Sequence, residues 1–179
     1  MSKPANPVEI TDNLPDQTIQ RSNTDNAPRS AIHQTLYSAD TFAQHDYLAG
    51  KNLPDIARPQ EGQIDWLHFV GINDVALLKH ALEPYGIHEL VIEDILSRKQ
   101  RPKIEDYGSY VFTAAQVYHY TSTGKLHSDQ VYVIIGKDFV LSFQQKPLGL
   151  FSHLRRQMHE NPHNILNKNT AFLAYCLLD

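Results

Sequence analysis

At 179 residues the chain has the length of one domain, with room for a sizeable core and a tail beside it. Its 41% hydrophobic and 20% charged residues suit an ordinary soluble fold, and a net charge of −4 offers nothing to nucleic acid or to an anionic membrane surface. Cys176 is the only cysteine, which excludes a disulfide framework and a thiolate zinc site and makes a reducing compartment the default.

The first ten residues, MSKPANPVEI, lack the apolar stretch of a secretory signal. No run in the chain approaches the roughly 20 apolar residues of a membrane span. Residues 1–29 are rich in Pro, Asn, Asp, Ser and Thr, with Pro4, Pro7, Pro15 and Pro28 and no sustained period. They read as a disordered tail ahead of a domain over 30–179.

Ala31 to Tyr37 reads as a first strand and Asp40 to Tyr47 as a segment with helical character. Lys51 to Gln63, interrupted by Pro54, Pro59 and Gly62, is loop. Ile64 to Val70 alternates as a strand with Ile64, Trp66, His68 and Val70 on one face and Asp65, Leu67 and Phe69 on the other. Asn73-Asp74 offers an N-cap for a helix over Val75 to Leu82, whose apolar face is Val75, Leu77, Leu78 and Leu82. Pro84 and Gly86 close it.

The next helix carries Glu93 and Asp94 and stops before Pro102. At about 100° per residue, Glu89 and Glu93 share its polar edge, while Asp94 falls between Leu90 and Ile87 on the apolar side. A carboxylate there must be hydrogen-bonded, paired or metal-bound, because an unpaired buried charge is costly. Ser109 to Tyr120 follows as a long strand, Thr121 to Lys125 as a turn, and Gln130 to Ile135 and Phe139 to Phe143 as strands joined tightly through Gly136-Lys137-Asp138, which makes an antiparallel meander. Leu148 to His159 is a helix with Leu150, Phe151, Leu154 and Met158 on one face, broken by Asn161-Pro162. A final helix begins between Asn167 and Thr170 and is still apolar at Asp179, as if the native chain continued. Helices before, strands in the middle and helices after predict an α/β fold, a layered α/β/α sandwich around a mixed, largely antiparallel sheet.

Glu93, Asp94 and Asp179 are the metal candidates, since hard divalent cations take oxygen ligands and Mg²⁺ needs only one or two carboxylates beside its waters. The plainer reading of Asp94 is a salt bridge to Arg98 at i,i+4. Among ten histidines, His159 and His163 have a ligand spacing, but Pro162 interrupts it, so a zinc site is not expected; His88 reads as a helix-entry or polar-contact residue. Gln100-Arg101-Pro102-Lys103, followed by Glu105-Asp106, reads as a charge-balanced turn, with a subunit contact as the alternative. Tyr107, Tyr110, Phe112, Tyr118 and Tyr120 fall mostly at strand spacing and suit sheet packing better than base stacking. No glycine-rich phosphate loop and no Gly-x-Ser-x-Gly is present, so nothing in the sequence assembles an enzyme.

The stretch GIHELVIEDILSRKQRPKIEDYGSY, residues 86–110, resembles the cytosolic domain of the CorA family of divalent-cation channels. Trp66-Leu-His-Phe-Val-Gly upstream, and Val140-Leu-Ser-Phe-Gln and Phe172-Leu-Ala-Tyr-Cys-Leu-Leu-Asp downstream, extend the resemblance from about Ile32 to Asp179. It departs from the family pattern at Glu89, where a proline is usual, and around Arg98. The resemblance implies a cation-sensing regulatory domain of a Mg²⁺ transporter that also takes Co²⁺ or Ni²⁺, ending in the start of a long stalk helix. It implies a homopentamer, with Asp94 in one regulatory site and Glu93 and Asp179 in a second, each shared with a neighbouring subunit. The parent would sit in the cell (inner) membrane with this domain cytoplasmic, reaching the membrane only through a C-terminal part; the chain itself lacks the family's Gly-Met-Asn pore signature and is expected to be soluble. A related zinc-transporting branch is the alternative, and a soluble metal-assisted or acid/base enzyme using Glu93 or Asp94 a distant one.

Overall fold

The structure, a computed structural model, describes residues 30–50, 53–97, 100–121 and 123–178. The expected tail, Arg98 and Asp179 lie outside the described residues. Seven strands, β1 (Ala31–Tyr37), β2 (Phe42–Leu48), β3 (Ile64–Val70), β4 (Lys103–Asp106), β5 (Tyr110–Tyr120), β6 (Leu126–Gly136) and β7 (Phe139–Gln144), form a single sheet in the order 2-1-3-7-6-5-4. All neighbours run antiparallel except β3 and β7, so the sheet is mixed and largely antiparallel, as expected. Helices α1 (Val75–Leu82), α2 (Glu89–Ser97), α3 (Ser152–Glu160) and α4 (Thr170–Leu178) complete the α/β sandwich.

Two apolar clusters account for the layering. Leu77, Leu78 and Ala81 of α1 and Val91, Ile92 and Ile95 of α2 pack on Leu67, Phe69, Phe112 and Leu141 of the sheet. In the other cluster, Phe151 just before α3, Met158 of α3, and Leu173 and Leu177 of α4 pack with Trp66, Val131, Val133 and Val140. Successive side chains of a strand point to opposite faces, so β3 supplies both clusters. Its Trp66 and Leu67 are both fully buried.

Local chemistry sets the element ends. Asp74 caps α1, its Oδ1 accepting from the Leu77 N–H at 2.9 Å. Asn169 does the same for α4, with its Oδ1 accepting from Phe172 N–H at 3.0 Å. Gly136 closes β6 where a side chain would collide with the Phe139 ring, which lets the hairpin to β7 turn tightly.

Several sequence expectations are corrected. Asp40 to Tyr47 is not helical: Phe42–Leu48 pairs along its whole length with β1, after a turn in which Ser38 Oγ accepts from the Thr41 N–H at 3.2 Å. Gln100 to Asp106 is not only a turn, since Lys103–Asp106 forms the edge strand β4 against β5. Strand β6 starts at Leu126, earlier than its apolar run, because it pairs with β5 out to Tyr120. Helix α3 starts at Ser152 instead of Leu148, because Gly149 takes a left-handed φ of +69° that cannot open a helix. Val75, expected on the apolar face of α1, is 44% exposed, and Leu90, expected beside Asp94 on a buried face, is 58% exposed. Among the described residues no helix is long and apolar enough to cross a membrane.

Candidate metal site at the corner of α2 and β4

Helix α2 is entered through His88, whose Nδ1 accepts from the Leu90 N–H at 3.2 Å while its own N–H donates to the Tyr110 hydroxyl at 3.0 Å. That matches the sequence reading of His88. Val91, Ile92 and Ile95 turn into the core, which leaves Asp94 on the flank of the helix and Glu93 outside in solvent. Asp94 is therefore neither buried nor free: its side chain is 26% exposed.

Both Asp94 oxygens have partners. Gln100 Nε2 donates to Oδ1 at 2.8 Å, and Lys103 Nζ donates to Oδ2 at 2.8 Å. Gln100 is fixed in turn by a reciprocal pair with Gln130 on β6. The Gln100 N–H donates to Gln130 Oε1 at 3.0 Å, and Gln130 Nε2 donates back to the Gln100 carbonyl. Ser97 Oγ accepts from Gln100 Nε2 at 3.2 Å and donates to the Asp94 carbonyl at 2.9 Å, closing the end of α2.

Lys103 binds a second carboxylate as well, with Nζ 2.9 Å from Glu105 Oε2. Residues two apart on a strand share a face, so β4 turns Lys103 and Glu105 towards α2 and leaves Ile104 75% exposed on the other side. The Lys103 ammonium also lies 5.4 Å from the centre of the Phe112 ring, and the Tyr107 hydroxyl donates to Glu105 Oε2 at 3.2 Å. The hydrogen bond to Asp94, ahead of that to Glu105, holds the Lys103 ammonium above the usual lysine pKa.

The corner thus joins Asp94 with Lys103, Gln100 and Glu105, three residues the sequence reading did not assign to it. The signal was available, because Lys103 and Glu105 stand at strand spacing just after a proline stop. Among the described residues the cation beside Asp94 is Lys103; Arg98, the expected partner, lies outside them, as does Asp179. Glu89, the departure from the family pattern, pairs with Lys79 at 3.1 Å on the exposed side of α1. Among the described residues no three His, Cys, Asp or Glu side chains gather as a metal centre. The oxygen donors suit a hard dication, but an ammonium already stands on Asp94 Oδ2, so the corner fits such an ion only with Lys103 moved aside.

The sequence model of the family described as CorA-like Mg2+ transporter protein matches residues 61–178, from β3 through α4. The cobalt/magnesium transport protein CorA of Thermotoga maritima is 36% identical over 115 residues, 64% of this chain and 33% of that protein. The chain therefore spans about a third of the length of that relative. The complete structure of the CorA magnesium transporter from Methanocaldococcus jannaschii superposes with a TM-score of 0.64 at 11% identity, covering 82% of this chain and 43% of that one. The soluble domain of the same protein gives 0.63 at 11% identity, covering 81% and 54%. These structural likenesses speak for the fold, and the sequence match across β3 to α4 for the lineage: the chain belongs to the family of CorA-like Mg²⁺ transporter proteins.

Proposed function

We propose that this chain is the cation-sensing domain of a Mg²⁺ transport protein that also carries Co²⁺, and that Asp94, Glu93 and Asp179 are its cation ligands. The observation that carries the reading is the family match over residues 61–178, which includes the Glu93-Asp94 pair in the middle of α2. The name of the Thermotoga relative, a cobalt/magnesium transport protein, supports the choice of ions. Among the described residues of one chain the acids are too few for a metal centre, so in this reading the ligand set is completed across a subunit boundary, in the homopentamer that the resemblance implies.

Sensing then follows from electrostatics. Carboxylates of adjacent subunits repel, by about 4 kcal/mol for unit charges roughly 4 Å apart at an effective dielectric near ~20. A dication between them removes the repulsion and holds the ring in its closed arrangement, and loss of the ion loosens it. The ion shifts that equilibrium only by its differential affinity for the two arrangements, so several weak sites acting together suit a sensor.

The test is Asp94→Ala in the full-length protein, read by the Mg²⁺ concentration that half-stabilises the assembled ring in size-exclusion chromatography or native mass spectrometry. A rise of about tenfold is expected, one ligand's worth of about 1.4 kcal/mol. An unchanged midpoint removes Asp94 from the ligand set and the sensing role with it.

A further inference from the structure

We propose that the Lys103 ammonium is a resident counter-ion of Asp94, which a divalent cation must displace, so that Lys103 sets the cation concentration the site responds to. The proposal deepens the reading above and rests on Asp94 being a cation ligand.

The geometry carries it. Lys103 Nζ sits 2.8 Å from Asp94 Oδ2 and 2.9 Å from Glu105 Oε2, the place between two carboxylates that a bound cation occupies. The ammonium does not wander there on a free side chain. Its stem is 26% exposed, the register of β4 against β5 sets its root opposite Ala114, and its head lies over Phe112. Asp94 is held just as firmly, because Gln100 takes Oδ1 and is itself clamped to Gln130. A dication arriving at Oδ2 meets a positive charge within bonding distance of its ligand, and like charges that close exclude each other.

Glu105 gives the displaced lysine a second seat. With Asp94 alone as partner, removing Lys103 would strand an ammonium. With Glu105 beside it on the same face of β4, Lys103 can give up Asp94 and remain paired. Among the described residues, the two carboxylates and one ammonium of this bridge leave one negative charge in surplus, and the exchange directs that surplus to the incoming ion. It also unties α2 from β4, since Asp94 belongs to the helix and Lys103 to the strand. Cation binding at this corner is therefore coupled to a change in how α2 is anchored.

The experiment uses the full-length protein with Mn²⁺ as the probe, a hard dication followed directly by its electron paramagnetic resonance signal. The Asp94-dependent part of binding is the difference between wild type and Asp94→Asn. Lys103→Met, which keeps the apolar stem over Phe112 and removes the charge, should tighten that part about tenfold, or about 1.4 kcal/mol. Lys103→Arg, which keeps the charge, should leave it as weak as in the wild type. Lys103→Gln carries the same expectation should the Met form fail to fold. Unchanged affinity in the neutral variants, with Asp94→Asn still weakening binding, overturns the role of Lys103 and leaves Asp94 a ligand. No effect of Asp94→Asn in either background overturns both readings and makes the bridge a structural tie.

Discussion

The middle of the sheet and its β4 edge handle polar side chains in opposite ways. In the middle, Asp65 on β3 is fully buried and its partners are neutral: Gln34 Nε2 donates to both oxygens at 3.1 Å and the Tyr85 hydroxyl to Oδ2 at 2.5 Å. Burial pushes its carboxyl above the usual carboxylate pKa. On the other face of the same strand His68 is 3% exposed and bonded through Nδ1 to Ser142 Oγ at 2.9 Å, which also accepts from Trp66 Nε1. At the edge, Asp94 faces a full positive charge and keeps some water. Removing an ion from water costs several kcal/mol, so the deep sites hold their groups with neutral donors, while the rim tolerates true ion pairs. A deep hydrogen bond has no replacement partner at hand, whereas a rim ion pair can be exchanged for another ion.

The largest expected test of this contrast lies at His68. Burial, first, and then the nearby His33 and Arg155 charges lower its pKa to about 3. The Phe151 ring packs edge-on against it from the α3 side at 4.9 Å. Because the folded pKa is below the unfolded one, the unfolded chain takes the proton first, and stability falls as pH drops from about 6.5 towards about 3. By about pH 4.5 the loss attributable to His68 should be about 3 kcal/mol, and His68→Gln should lack it. Urea unfolding at neutral and acid pH reads the difference; equal slopes in the two proteins would mean that the middle of the sheet tolerates charge after all. A smaller effect is expected from Tyr85→Phe, which deprives Asp65 of its shortest hydrogen bond and should cost about 1–3 kcal/mol. Asp65, with its raised folded pKa, adds least stability once pH has risen through its titration. The Tyr85→Phe loss should accordingly be larger at neutral pH than near pH 4, with the cation response unchanged.

The same contrast explains what could be read from the sequence. Strand β3 and the β6–β7 hairpin announce themselves through apolar spacing, because burial leaves that pattern, and the Asp74 cap through its place just ahead of an apolar helix. The edges do not. Strand β2 alternates half-exposed side chains such as Gln44, His45 and Asp46, and its pairing with β1 is set by the Ser38–Thr41 turn, so its residues carry no hydrophobic period. Strand β4 is four residues with one exposed isoleucine, and only its pairing with β5 makes it a strand. The candidate site inherits this limit. Glu93 and Asp94 were legible as adjacent acids in an apolar run, but their environment depends on which face α2 buries. With Leu90 outside, Asp94 sits at a rim and not in an apolar interior. Its partners come from six and nine residues on, the second across a proline in an edge strand, where helical spacing has no meaning.

The smallest expected effect decides whether the rim is exchangeable. Asp94→Asn keeps the shape of the side chain and removes the charge that Lys103 answers, and for a partly exposed pair the cost should be about 1 kcal/mol or less. Salt is the sharper readout. A pair that water and ions can reach is screened as the Debye length shrinks to roughly 3 Å near ~1 M, so the difference between wild type and Asp94→Asn in urea unfolding should largely vanish there. The Tyr85→Phe difference, which rests on a buried hydrogen bond to Asp65, should persist under the same salt. If Asp94→Asn instead costs as much as Tyr85→Phe and ignores salt, Lys103 is locked to Asp94 as firmly as Tyr85 is to Asp65. An ammonium held that firmly would not yield to a dication at ordinary concentrations, and the corner of α2 and β4 would serve the fold alone.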